Sequence, residues 1–156
     1  MTMSEQFSGP SPSGIGAAFP GSPVRTIARS PGKTHEAVRF ELMAALLRAD
    51  RQPRADSPVA DVTCTTEHGR FLYEVLGAGL ATYTDLRSGA ARLREVDHAL
   101  PTAADHLYLV LSQPPCEDWS PAAVHAVFGV QVLWRTPQGW GGQDAATALG
   151  LDPGQA

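Results

Sequence analysis

Residues 60–77, ADVTCTTEHGRFLYEVLG, constrain the fold more than any other stretch. The run Val59 to Thr66 is short and β-branched, which predicts a strand. Glu67-His68-Gly69-Arg70 is turn chemistry, with Gly69 able to take a positive φ. Phe71 to Leu76 predicts the returning strand. Its side chains alternate, so Phe71, Tyr73 and Val75 share one face and Leu72, Glu74 and Leu76 the other. The hairpin carries one carboxylate early in its first strand, Asp61, and one late in its second, Glu74. An isolated hairpin is marginal in water, so its neighbours must cover it.

Those neighbours read as helices on either side. Thr34 to Ala49 has a helical period, with Val38, Leu42, Ala45 and Leu46 on one stripe flanked by Phe40, Met43 and Leu47. Thr34 suits the N-cap, and Glu36 in the first turn suits the helix dipole. Gly32-Lys33-Thr34 is not a phosphate loop, because position 27 is Ile where that motif needs glycine. After Gly77 and Gly79, Thr82 to Leu100 predicts a second helix buried along Leu86, Ala90, Leu93 and Leu100. Tyr83, Arg87 and Arg94 lie along one of its edges. His106 to Ser112 is a nearly continuous apolar run, which suits an interior strand covered on both faces. Ser120-Pro121 starts a short helix to about residue 127, and Val130 to Arg135 is a last strand. Alternation of strand and helix from Phe71 onward predicts parallel neighbours.

Composition bounds the rest. The chain has 156 residues, enough for one domain. Residues 1–31 are rich in Gly, Pro and Ser and predict a flexible tail, the alternative being a partner-binding arm that uses Phe19, Val24 and Ile27. Residues 32–142 then form a single α/β domain, and 143–156 a second flexible tail. No apolar run reaches the roughly eighteen residues a membrane helix needs, so no membrane association is expected. The N-terminus has no basic region followed by an apolar one, which argues against a signal peptide. The two cysteines, Cys64 and Cys116, are then expected as reduced thiols in a cytoplasmic protein. A net charge of -4 argues against a broad basic face for nucleic acid. Lys33 is the sole lysine among many arginines, the bias of a GC-rich genome. The histidines and cysteines show no ligand spacing for zinc.

The order helix, hairpin, helix, strand, with Ala60-Asp61-Val62 and Tyr73-Glu74-Val75-Leu76-Gly77 on the hairpin, resembles the PD-(D/E)xK nuclease superfamily. The resemblance spans residues 34–112 and implies a restriction-endonuclease-like core, α-β-β-α-β-α-β, with a mixed central sheet flanked by helices. It implies that Asp61 and Glu74, joined by an acidic residue of the preceding helix (Glu36 or Glu41), hold Mg²⁺ for phosphodiester hydrolysis. Carboxylate oxygens suit that ion, and the ion activates the attacking water. The sequence departs from the pattern at the basic position, where Leu76 stands in place of lysine. Some members carry the basic residue on the following helix, which points to Arg87 or Arg94. The family usually has one more strand ahead of the aspartate; here that stretch, Arg51 to Ser57, is polar and contains Pro53. The expectation is a nuclease-fold domain with a degenerate metal site, acting through DNA or a protein partner. An active Mg²⁺-dependent endonuclease using Asp61, Glu74 and Arg87 is the alternative, and an unrelated small α/β regulatory or ligand-binding subunit a third. The open hairpin edge further suggests pairing with a second copy of the chain.

Overall fold

A computed structural model describes residues 34–58 and 60–150. The expected N-terminal tail, residues 1–31, lies outside them.

Helix α1, His35–Arg48, is followed by the hairpin, strands β1 (Val62–Thr66) and β2 (Gly69–Val75). Thr34 caps α1 as expected, accepting from the Ala37 amide. Gly69 takes φ +120 in the turn, a conformation other residues rarely adopt. Then come α2 (Tyr83–Ala99), β3 (His106–Leu111), α3 (Ser120–Phe128), β4 (Gln131–Thr136), β5 (Gly139–Gly141) and α4 (Ala145–Leu149). Thr82 and Asp85 form a reciprocal capping box at the start of α2.

The strands form one mixed five-stranded sheet in the order β1-β2-β3-β4-β5. β1 and β2 are antiparallel, β2, β3 and β4 run parallel, and β5 returns antiparallel to β4. This is an α/β fold with helices on both faces. On one face α1 and α4 bury Val38, Leu42, Leu46 and Leu149 against Phe71, Tyr73, Tyr108 and Leu133. On the other, α2 and α3 bury Leu86, Leu93 and Val124 against Leu72, Leu109 and Leu111. β3 is covered on both sides, which is why its sequence is continuously apolar. The stretch 51–57, where the resembled family usually has a further strand, makes one antiparallel bridge, Arg54 to Thr63, on the outer edge of β1.

The C-terminal stretch expected to be a tail from residue 143 is instead part of the fold as far as Gly150. Ala145, Ala148 and Leu149 are buried in the α1 face of the core. Polar contacts hold α4 there, among them one from the Tyr73 hydroxyl to the Ala148 carbonyl. The Arg51 guanidinium donates to the carbonyls of Thr147 and Ala148, both at 3.0 Å, and lies over the Phe71 ring. The Tyr108 hydroxyl donates to Asp144 at 2.8 Å. A five-residue helix of Ala, Thr and Leu is too short to show a period, so its sequence reads as linker.

Leu149 is fully buried. Leu149→Ala is therefore expected to cost about 2–5 kcal/mol in urea unfolding. An unchanged midpoint would mean that α4 is not part of the cooperative core.

Candidate functional site

The hairpin register pairs Val62 with Tyr73, and one further step sets Asp61 across from Glu74. Asp61 precedes β1 rather than sitting inside it, and its side chain takes over the strand's pairing. Its Oδ2 accepts from the Val75 amide at 2.8 Å. Its Oδ1 meets His35 Nε2, from the first turn of α1, at 3.1 Å. The two carboxylates expected to converge are thus brought together at the C-terminal end of β2.

Glu74 lies on the α2 side of the sheet, between Leu72 and Leu76 along its strand, and its side chain is 4% exposed. Burying a carboxylate without a partner is costly. Its partner is Arg92, whose Nη1 stands 2.8 Å from Glu74 Oε1. Two features of α2 bring that arginine in. Gly89 sits one turn earlier, so close to the sheet that a Cβ there would lie 3.0 Å from Leu76 and 3.1 Å from Leu109. Helical side chains also lean towards the helix N-terminus, so Arg92 leans back towards the end of β2.

The electrostatics follow from this placement. Burial pushes the Glu74 carboxyl up to about 6, and the nearby Asp61 charge adds to the rise. Arg92 and His35 oppose it. Because the folded state holds this proton more tightly than the unfolded chain, Glu74's contribution to stability is full below about pH 4.5. It is lost as pH rises through about 6.

The remaining expected residues take other places. Glu36 is exposed in the first turn of α1, paired with Arg39, which holds its carboxyl below the usual range. His35 Nδ1 lies 3.2 Å from Glu36, so His35 stands between Glu36 and Asp61. Glu41 pairs with Arg135 on the far side of α1. Arg87 is exposed and makes no hydrogen bond or ion pair among the described residues. Arg94 donates to the Phe128 carbonyl at the end of α3 and pairs with Asp97. Leu76, at the lysine position, is buried in the core beneath α2. Trp134 and Trp140 pack against the core, whereas Trp119 is 57% exposed with Tyr83 against it. Sequence reasoning missed His35 and Arg92. The signal for Arg92 was Gly89, a small residue that lets one helical turn approach the strand carrying Glu74.

A resident Mg²⁺ needs several free oxygen donors. Here both Asp61 oxygens and one Glu74 oxygen already face an amide, an imidazole and a guanidinium. Among the described residues no group of three or more His, Cys, Asp or Glu side chains is placed to hold a metal ion. In this arrangement the donor set does not fit the ion: Arg92 balances Glu74, and the His35 ring faces Asp61. No family model, curated protein or solved structure matches the chain.

Carbon-detected NMR titration of the Glu74 carboxyl should give a midpoint near 6. Asp61→Asn should lower that midpoint and Arg92→Ala should raise it. A midpoint in the ordinary glutamate range, unmoved by either substitution, would contradict the geometry.

Proposed function

We propose that the chain is a nuclease-fold domain whose acidic pair is closed by its own Arg92 and His35, and that it works by binding rather than by hydrolysis. The observation that carries this reading is the buried Glu74 with Arg92 on its carboxylate, while the strand position two residues on, Leu76, is core. Three features support the nuclease-fold part. The order of helix, hairpin, helix and strand runs through a mixed sheet. Asp61, just before β1, stands across from Glu74 on β2. The Arg54 to Thr63 bridge lies where the family's extra strand would run.

The binding part rests on charge. Hydrolysis of a phosphodiester needs positive charge that is free to meet the phosphate. Here the positive groups nearest the acids are spent on them. The net charge of -4 and the Glu117-Asp118 pair beside exposed Trp119 favour a protein partner over the DNA backbone.

A second reading has its own observation. An arginine on the helix after the hairpin, in contact with the motif glutamate, is where a relocated catalytic base-side cation would stand. In that reading Asp61 and Glu74 would hold Mg²⁺ with Arg92 supplying positive charge beside them, and the protein would be an endonuclease.

Calorimetric titration with Mg²⁺ and Mn²⁺, followed by plasmid cleavage, separates the two. The binding reading expects no heat of binding at millimolar metal and no nicking. Stoichiometric metal binding that disappears in Asp61→Ala, with cleavage of the plasmid, would establish the endonuclease instead.

A further inference from the structure

Helix α1 is apolar on two sides. Its inner side, Val38, Leu42, Ala45 and Leu46, is buried against the sheet. Its outer side carries Ala37, Phe40, Ala44 and Leu47, with Phe40 75% and Leu47 60% exposed. A helix apolar all round is ordinarily buried all round. The spacing of the outer residues, three, four and three, is that of a seam between paired helices.

We propose that this face is a homodimer interface, in which α1 packs antiparallel against α1 of a second copy about a two-fold axis level with Leu42. Residue numbers reveal the complementarity. Phe40 and Ala44 stand equally far on either side of position 42, as do Ala37 and Leu47. An antiparallel mate in that register sets each Phe40 on the partner's Ala44 and each Leu47 on the partner's Ala37. Large meets small at every layer, which is how facing side chains interdigitate. A parallel mate in register would set Phe40 on Phe40 and Leu47 on Leu47.

Charge favours the same direction. α1 has Glu36 in its first turn and Arg48 in its last. Antiparallel packing brings each acidic, dipole-positive end alongside the basic, dipole-negative end of its mate. A two-fold interface must be self-complementary, and this face satisfies that condition.

The sheet edges offer a poorer route to pairing. On β1 the Thr63 amide and carbonyl are both bonded to Arg54 at 2.8 Å, which blunts the open hairpin edge. At the other edge β5 is only three residues long. Two 14-residue helices alone fall short of the ~1,200–2,000 Å² that a stable interface buries, so the dimer should be weak and concentration-dependent.

The test is sedimentation equilibrium of the full-length chain over roughly 0.01–1 mM, with circular dichroism to check folding. The weight-average mass should rise from that of one chain towards that of two. Phe40→Ala and Ala44→Phe should each weaken association by about tenfold or more, since symmetry counts each change twice. The double variant Phe40→Ala/Ala44→Phe restores large on small and should recover the dimer. A chain that stays monomeric throughout would overturn the proposal. So would a dimer indifferent to both single variants, or one that the swap fails to recover while the double variant remains folded.

Discussion

A buried carboxylate demands compensation, and much of the arrangement around β2 can be read as meeting that demand. Desolvating an ion costs several kcal/mol unless opposite charge and hydrogen bonds replace the lost water. Glu74 is buried with a second carboxylate opposite it, which makes the cost larger. Relief comes from outside the strand. Arg92 reaches in from α2, and His35 reaches Asp61 from α1. Gly89 lets α2 lie close enough for the first contact, and the α1 cap at Thr34 fixes where His35 stands. The acidic pair therefore ties the two faces of the sheet together electrostatically, while each face has its own apolar core.

The chemistry of such a pair depends on which cation holds it. A divalent metal leaves oxygens that can activate water and stabilise a phosphate. Here a guanidinium neutralises Glu74 and an imidazole nitrogen lies against Asp61, and neither offers an open coordination position. Leu76 belongs to the same trend, since an aliphatic side chain two residues beyond Glu74 packs under α2 and adds no charge to the site. The Glu74–Arg92 pair keeps the charge inside the fold balanced. Large apolar side chains stand exposed elsewhere, Phe40 and Leu47 on the outer side of α1 and Trp119 before α3 among them.

Much of this was legible in the chain. The alternation in Phe71 to Leu76 assigned both faces of β2 correctly, and the continuous run at β3 announced a strand covered on both sides. Asp61 and Glu74 were singled out by the resemblance to the nuclease pattern, whereas their position opposite each other depends on the hairpin register. What was hidden depended on contacts distant in sequence. Arg92 lies off the edge formed by Arg87 and Arg94, and only the depth of Gly89 shows which arginine reaches the strand. α4 was read as part of a flexible tail because five residues carry no period; Arg51, Tyr73 and Tyr108, far from it in sequence, help to place it. Phe40 and Leu47 were read as flanking the buried stripe of α1, and both face outward.

The central claim is that Arg92 and His35 stand in for a metal ion. Mn²⁺ titrated at pH 8 into the wild-type chain and into the His35→Ala/Arg92→Ala variant tests it most directly. The account predicts no binding to the wild type and a new stoichiometric site in the folded variant, where two uncompensated carboxylates face each other. Metal binding by the wild type, or none by the folded variant, would contradict it.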